Sequence, residues 1–472
     1  MISTVLSYLV PGAIAVSVVW YLARNPAYVL LIPMLLAVGR AAYIDTHGWT
    51  IAGLGVDQIV VLVLVGCALV LVALRPSSRL QDRHSLGLGM FGLYALWIVV
   101  TAGLSVAEGL SIGKAITSAI YSMTLPMSVG AWLLAFSRIT DEELISVMRV
   151  LAVITSVLCL LYTMQAVGIR TYPYNAYMSV FVQDRLVVRD FATFPYFAVP
   201  IALAWAVASN ERALLRIPIA AACLIATAAT FTRSTILAGI AALLIAGMLA
   251  SWKRPITQHR KLPVGTIATA LTLVAAMTLS LDGYWSVRLA PGLLDANVTS
   301  RAAAILNNVR SSGLLDALTG YGFGTVMETP VGVVAGDSLW IYIVYRFGMI
   351  GVVLLAGALL AAAVDGSRAV VSTPEPKPRT LAAVAGALPI AVLLFSLAGV
   401  PSSLSTGLAL SLGPALVMGV IGARQLPETS HLDVWSLLPD RFRSNAWRRV
   451  LSLLAILTML SVEVWIGMRL VR

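Results

Sequence analysis

The chain is a succession of apolar stretches of about 20 residues, the length of a helix that crosses the hydrocarbon core of a bilayer. These stretches recur from Thr4 to the C-terminal region. Hydrophobic residues make up 59% of the 472 residues and charged residues 11%, whereas a soluble domain carries about 25% charged residues. We therefore predict an all-α, polytopic integral membrane protein with about 12–14 transmembrane helices.

Charged residues separate these stretches into individual spans. The predicted spans are 4–22, 27–42, 55–74, 86–106, 115–136, 146–168, 191–208, 217–231, 235–251, 264–281, 338–363, 381–399, 406–423 and 449–468. The chain then divides into residues 1–281, with spans 1–10 and an outer loop at 169–190, a large outer loop at 282–337, and residues 338–472, with spans 11–14 and a cytoplasmic loop at 424–448. The first residues lack the basic region of a cleaved signal peptide, so the first span is expected to remain.

Most basic residues lie in alternate loops, which the positive-inside rule assigns to the cytoplasm. This set comprises Arg24, Arg75, Arg79, Arg83, Arg138, Arg149, Arg212, Arg216, Lys253, Arg254, Arg260, Lys261, Arg368, Lys377, Arg379, Arg424, Arg441, Arg443, Arg448 and Arg449. Topology therefore accounts for the net charge of +11, and no nucleic-acid partner is expected. Cys67, Cys159 and Cys223 lie inside apolar runs and are expected to be buried core residues rather than metal ligands.

Several arginines lie on the outer face, against the positive-inside rule. They are Arg170, Arg185, Arg189, Arg233, Arg288, Arg301 and Arg310. A guanidinium group binds phosphate through two parallel hydrogen bonds, so these residues indicate an anionic, phosphorylated ligand. The alternative is a general preference for arginine, because only four of the 32 basic residues in the chain are lysine.

Three of these arginines have informative neighbours. If residues 184–194 are helical, Arg185 and Arg189 share a face, and an anion between them would offset their repulsion. The alternative is that the two arginines are solvated or paired with Asp184 and Asp190. Arg233 begins a helix at the outer boundary, where a cation opposes the helix dipole unless an anion shares the site. The alternative for Arg233 is an arginine that reaches lipid headgroups.

The large outer loop contains a predicted helix that follows Thr299 or Ser300 as N-cap. On this helix Arg301 and Asn308 share a face and Arg310 points the opposite way, so Arg301 is the predicted ligand of the anion, with Arg288 and Asn308 in support. The run Gly320-Tyr-Gly-Phe-Gly324 has no following Lys-Ser or Lys-Thr, so it indicates sharp turns rather than a nucleotide site.

Asp337 stands where the loop enters the next span. The N-cap of that helix is one role that would account for it, and a functional role is the alternative. Arg346 follows about 13 Å into the span. An intramembrane charge indicates a functional site, and the alternative is a pairing with an acidic or carbonyl partner that holds helices together.

These segments resemble the O-antigen polymerase and ligase superfamily of membrane proteins. The matching pieces, in order, are Arg233-Ser234, Ser300-Arg301, Gly320-Tyr-Gly-Phe-Gly324, Asp337-Ser338 and Gly348-Met-Ile-Gly351. They extend over roughly residues 185–355. The ligases of this superfamily use a histidine where this chain has Asp337, whereas polymerases tolerate aspartate, so the resemblance favours a polymerase.

The resemblance implies a membrane-type (GT-C-like) glycosyltransferase in the bacterial inner membrane that needs neither cofactor nor metal. Its substrates would be oligosaccharides linked to undecaprenyl pyrophosphate, and its partners membrane lipids, a chain-length regulator and a flippase. Arg301 and Arg233 would bind the pyrophosphate, Arg185 and Arg189 a lipid-linked unit, and Asp337 would accept the proton of the acceptor hydroxyl, with Arg346 in support. The alternatives are an O-antigen ligase that transfers glycan to lipid A-core or another acceptor, and a transporter or flippase of the same lipids.

Overall fold

The computed structural model describes residues 25–33, 50–51, 54–75, 86–166, 178–182, 185–189, 193–229, 233–251, 314–323, 339–373 and 376–398. Within these ranges the chain is almost entirely helical. A 3-10 turn at Pro26–Leu30 precedes the α-helices. The helices are α1 Val56–Leu74, α2 Leu86–Ala107, α3 Ile112–Phe136, α4 Asp141–Ala166, α5 Thr193–Ala208, α6 Ala213–Ala229, α7 Arg233–Ser251, α8 Leu314–Thr319, α9 Leu339–Ser372 and α10 Pro376–Ala398.

Five of the described helices, α2, α3, α4, α9 and α10, contain stretches long and apolar enough to cross a membrane. Shorter apolar stretches lie in α1, α5, α6 and α7. The prediction of a helical, multi-pass membrane protein is therefore confirmed. The predicted spans 4–22, 264–281, 406–423 and 449–468 lie outside the described residues, and span 27–42 is described only to residue 33.

Several helices extend beyond their predicted spans, and two of them show why. Helix α4 begins earlier than the predicted 146 because Thr140 and Glu143 form a capping box: each residue's backbone N–H donates to the side chain of the other, at 2.8 and 3.1 Å. Helix α9 continues past the predicted end at 363 because Asp365 and Arg368, which marked the boundary in the sequence, are both buried.

Two short antiparallel hairpins interrupt the helical pattern. Strand β1 (Thr50–Ile51) pairs with β2 (Leu54–Gly55) before α1, and β3 (Met178–Val182) pairs with β4 (Arg185–Arg189) in the predicted outer loop. The helix considered for residues 184–194 is therefore wrong over Arg185–Arg189, where valine-rich sequence on both sides of a two-residue connection favours a hairpin. Arg185 and Arg189 still occupy the same strand face, but their Cα atoms lie about 13 Å apart rather than one helical turn.

The helices pack in a continuous series. Helix α9 lies between α2 and α10, α10 contacts α7, α7 contacts α5, and α5 contacts α4 and α6, while α3 joins α1 to α2. The largest fully buried side chains include Trp132, Trp205, Tyr94 and Phe347. Cys67, Cys159 and Cys223 are buried and free, as predicted.

The faces of α2 and α3 that do not pack on other described helices expose large apolar side chains. Leu93 and Leu96 of α2 and Ile116 and Ile120 of α3 are each more than half exposed. A soluble protein rarely exposes a contiguous apolar surface of this kind. These faces fit contact with lipid.

Ion pairs join the predicted cytoplasmic ends of the helices. Arg75, after α1, forms two hydrogen bonds of 2.6 Å with Glu143 of α4. These bonds raise the pKa of Arg75 further above its usual value. Arg75 and Arg138 also donate to each other's backbone carbonyls, at 3.2 and 2.9 Å, so each cation satisfies a carbonyl at the other helix end. Further ion pairs join Arg149 to Glu211 and Lys377 to Glu142.

Candidate functional site

Helix α9 is broken at Gly348, inside the stretch that is apolar enough to cross a membrane. Gly348 has φ 64° and ψ −167°, a conformation that glycine adopts without the steric cost that other residues meet. Such a break leaves backbone carbonyls without their helical partners. In a membrane this is tolerated where protein covers the freed groups, and broken helices of this kind often border binding sites.

Two donors from outside α9 cover the freed carbonyls. The indole Nε1 of Trp97 in α2 donates a hydrogen bond of 2.9 Å to the carbonyl of Phe347. The backbone N–H of Tyr321 donates one of 2.7 Å to the carbonyl of Tyr345. In an unbroken helix these carbonyls would accept from residues four positions further along α9, so Trp97 and Tyr321 take the place of donors that the break removes.

Tyr321 belongs to a tight turn, Gly320–Phe323, that follows α8 and packs between α2 and α9. Gly320 and Gly322 have φ values of 80° and 65°. The N–H of Phe323 donates 2.9 Å to Oγ of Ser105 in α2. That hydroxyl in turn donates 2.9 Å to the Thr101 carbonyl, which fixes its orientation as an acceptor for the turn.

The turn and the break depend on one another through three glycines. A Cβ on Gly320 would lie 2.6 Å from the Arg346 carbonyl oxygen, one on Gly348 would overlap the Leu318 carbonyl, and one on Gly322 would overlap Ser105 Oγ. Each glycine also has a positive φ, so any side chain there is disfavoured for two independent reasons. We call residues 320–323 together with residues 345–348 the interlock.

Arg346 lies at the centre of the interlock. Its Nη1 donates a hydrogen bond of 2.9 Å to the Gly322 carbonyl, and its guanidinium carbon lies 5.7 Å from the ring centroid of Tyr345. Of the two roles predicted for this residue, the contact with a carbonyl partner that holds elements together is therefore present.

Aromatic rings fill the space around the break. The ring of Phe347 is fully buried and meets Tyr94 and Phe323 edge to face, with ring centroids 5.8 Å apart in both pairs. Tyr321 packs on Tyr345 at 5.0 Å. The hydroxyl of Tyr94 is buried and makes no hydrogen bond within the described part of the chain. The interlock is thus closely packed and mostly apolar, with Arg346 as its one cation among the described residues.

No family model and no curated protein matches this chain. The resemblance to the O-antigen polymerase and ligase superfamily therefore rests on the sequence motifs alone. The structure joins two of these motifs, because Gly320-Tyr-Gly322 and Gly348 contact one another within the interlock.

The other predicted site residues are placed only in part. Arg233 is the first residue of α7, which agrees with its predicted place at a helix start. Arg185 and Arg189 lie at the two ends of β4. The residues that lie outside the described ranges are Arg288, Arg301, Asn308, Asp337 and the capping candidates Thr299 and Ser300.

The sequence analysis missed the contribution of α2. Trp97, Thr101 and Ser105 are spaced four residues apart, so they lie on one face of a helix. Polar side chains on one face of a membrane span indicate contact with another protein segment rather than lipid. This spacing was the signal in the sequence from which a contact of α2 with another segment could have been predicted.

Proposed function

We propose that this protein polymerises oligosaccharide repeat units that are linked to undecaprenyl pyrophosphate, on the outer face of the bacterial inner membrane. The growing glycan would be transferred from its lipid carrier to an acceptor sugar on another lipid-linked unit. Such a reaction suits a multi-pass helical protein, because both substrates are anchored in the bilayer.

One observation supports the proposal: the interlock ties residues 320–323 of the predicted outer loop to a broken membrane helix, with a guanidinium group at the contact. Asp337 lies between its two halves in the sequence. The resemblance puts the reacting groups in this loop, and broken helices often border binding sites in membrane proteins.

The proposed chemistry is a single displacement. The acceptor hydroxyl oxygen forms a bond to the anomeric carbon of the growing glycan, and the bond from that carbon to the pyrophosphate oxygen breaks. Undecaprenyl pyrophosphate leaves with both electrons of that bond, and the hydroxyl proton passes to the carboxylate of Asp337. Arginines that face the pyrophosphate stabilise the charge that develops on the leaving group.

Arg301 and Arg233 are proposed to bind the departing pyrophosphate. The hairpin changes the expectation for Arg185 and Arg189, because Cα atoms about 13 Å apart do not enclose one phosphate group as neighbours on a helix would. In the proposal these two arginines therefore contact separate parts of a lipid-linked unit.

A transporter or flippase of the same lipids is the second candidate, and the break at Gly348 favours it. Transporters place substrate at broken helices, which come in pairs from two related halves of the chain. The break at Gly348 lies within α9, and the two halves of the sequence show no similarity that would predict a second, related break. These facts leave the polymerase as the preferred function.

The glycan length distribution in a deletion strain tests the proposal. Loss of a polymerase leaves single repeat units on the final acceptor and removes the ladder of longer chains. Loss of a ligase leaves long glycans on undecaprenyl pyrophosphate. Loss of a flippase leaves single lipid-linked units in the inner leaflet, protected from an added glycosidase in spheroplasts. Either of the last two results would contradict the polymerase function.

A further inference from the structure

Helix α2 gives a scale of depth in the membrane. Its 22 residues, Leu86–Ala107, form an apolar stretch about 33 Å long, which matches a hydrocarbon core of about 30 Å. Trp97 lies near the middle of this stretch, and Ser105 lies near the end that the distribution of basic residues puts outside. A segment that contacts α2 between these two residues is therefore at the depth of the outer half of the bilayer.

The turn Gly320–Phe323 contacts α2 at this depth. The N–H of Phe323 donates to Oγ of Ser105 at 2.9 Å. The methyl group of Thr101, one helical turn deeper, lies 3.9 Å from the position of a Cβ on Gly322. The turn belongs to the predicted outer loop 282–337, so this part of the loop reaches into the bundle below the outer end of α2.

Helix α8 lies beside the turn at a similar depth. A Cβ on Gly320 would lie 2.5 Å from the backbone nitrogen of Gly348. Gly348 directly follows Phe347, whose carbonyl accepts from Trp97 at the middle of α2. The N–H of Gly320 donates 2.7 Å to the carbonyl of Asp316 in α8. The backbone of Asp316 is thus close to the break in α9 and to the middle of the membrane stretch of α2.

Two side chains of α8 are exposed at this depth, those of Asp316 and Leu318. They are two positions apart, so they point to opposite sides of the helix. An exposed leucine fits contact with lipid. An ionised carboxylate does not, because charged side chains inside a membrane face the bundle interior or a water-filled cavity. Among the described residues none pairs with the Asp316 carboxylate.

We propose that water enters the bundle from the outer face beside α8, and that the Asp316 carboxylate binds sugar hydroxyl groups of the lipid-linked oligosaccharide there. This inference rests on the proposed function. A carboxylate accepts strong, charge-assisted hydrogen bonds from hydroxyl groups. It repels a pyrophosphate, because like charges oppose binding, so the sugar is the part of the substrate that fits beside Asp316. The broken helix α9 borders the same space, as broken helices do at substrate sites in transporters.

Cysteine labelling tests the entry of water without any assay of activity. Asp316→Cys should react with a membrane-impermeant maleimide added to spheroplasts, whereas Leu318→Cys should not, because it faces lipid. Both native side chains are exposed, so neither substitution disturbs packing. Leu96→Cys is the matched control for a lipid-facing position, since Leu96 is 57% exposed near the middle of α2. Protein with only the native cysteines serves as the blank, because all three are buried.

Reaction at position 316 alone supports the proposal, and each other pattern overturns it. Reaction at both positions of α8 would show that the helix lies in water outside the bilayer. Reaction at neither position, or at 318 alone, would show that water does not reach Asp316.

Kinetics test the binding of sugar. The full-length protein in proteoliposomes would receive the lipid-linked repeat unit extracted from the deletion strain. Asp316→Asn should raise KM about 10-fold, the effect of losing a hydrogen bond to a charged group, with little change in kcat. Asp316→Glu keeps the carboxylate and should recover part of the lost affinity. Glu108→Gln is the matched control, because Glu108 is an exposed carboxylate just after the outer end of α2, and it should leave KM unchanged.

Two kinetic results would overturn the sugar-binding role. An unchanged KM in Asp316→Asn would show that the carboxylate makes no contact with the substrate. A loss of kcat at constant KM would show that Asp316 acts in the chemical step rather than in binding. Absence of polymer from the wild-type protein would overturn the proposed function instead, and the labelling would still decide whether water reaches α8.

Discussion

The indole of Trp97 donates its hydrogen bond to the carbonyl of Phe347, a residue 250 positions later in the chain. That carbonyl is available because Gly348 breaks α9 immediately after it. A side chain in one membrane helix thus donates a hydrogen bond to a backbone carbonyl of another helix, at the point where that carbonyl has lost its donor within its own helix. The contact explains why a polar indole faces the interior of the helix bundle rather than the membrane interface.

Trp97→Phe should destabilise the protein, because phenylalanine keeps an aromatic ring at this position but leaves the Phe347 carbonyl without its donor. The expected loss is about 1–3 kcal/mol, the usual consequence of leaving a buried acceptor unsatisfied. The midpoint of thermal unfolding in detergent, followed by circular dichroism, measures it.

Trp132→Phe is the matched control. Trp132 is fully buried, and its Nε1 makes no hydrogen bond to any described residue. Removal of that donor therefore relieves an unfavourable burial and breaks no described contact. Its effect on unfolding should be much smaller than that of Trp97→Phe. Equal losses would mean that ring packing, and not the hydrogen bond, accounts for the stability at both positions.

Helix positions could be predicted from the sequence, whereas the interlock could not. The limits of a span follow from the length of an apolar run, a local property. Apart from Arg346, the residues around Gly348 form an apolar run that continues as one predicted span, and the residues that make its break tolerable, Trp97 and Tyr321, come from distant segments. A local pattern, such as the polar face of α2, indicates that a partner exists but does not identify it.

The arginine hairpin shows a second limit. A spacing of four residues puts Arg185 and Arg189 on one face of either a helix or a strand, because four is close to the helical repeat and a multiple of the strand repeat. The shared face could therefore be predicted, but the distance between the two residues could not. The valines of β3 and β4 were the local signal for strands.

Glu143→Gln should destabilise the contact between the end of α1 and the start of α4. Glu143 binds Arg75 through both carboxylate oxygens and completes the capping box with Thr140, and both charged side chains are less than one third exposed. We expect a loss of about 1–2 kcal/mol in the free energy of unfolding. Glu142→Gln is the neighbouring control, because its pair with Lys377 is mostly exposed and exposed pairs contribute little. Equal losses from the two substitutions would contradict this account.

Labelling of introduced cysteines can show which loops lie on which side of the membrane. A cysteine at Ala296 should react with an impermeant thiol reagent in intact spheroplasts, because the large loop is predicted to lie outside, and one at Thr257 should react only after lysis. The expectation rests on the distribution of basic residues between the loops. Reversed labelling would place every proposed ligand of the pyrophosphate in the cytoplasm and so contradict the proposed site.

Arg301→Ala should abolish polymer while the protein still reaches the membrane at its normal level. The reason is that loss of a charge-assisted contact to a leaving pyrophosphate raises the reaction barrier by about 3–4 kcal/mol without removing packing. Arg310→Ala, on the opposite face of the predicted helix, should leave the polymer ladder unchanged. Gel electrophoresis of the glycan, with immunoblotting of the protein, measures both. If the two variants lose polymer equally, the predicted helix through this part of the loop is wrong.

Asp337→Asn should separate a catalytic carboxylate from a helix cap. A cap requires only a side-chain oxygen near the first backbone N–H groups of α9, and asparagine provides one with a loss of only a few tenths of a kcal/mol. A base requires a carboxylate that can take a proton, which asparagine lacks. We therefore expect Asp337→Asn to fold and insert normally but to lose most polymerisation, while Asp337→His retains part of it because imidazole also accepts a proton. The initial rate of polymer formation and the unfolding midpoint, measured on the same preparations, distinguish the two roles. A normal rate in Asp337→Asn would make Asp337 a helix cap, and the acceptor hydroxyl would then lose its proton to solvent or to a phosphate of the substrate.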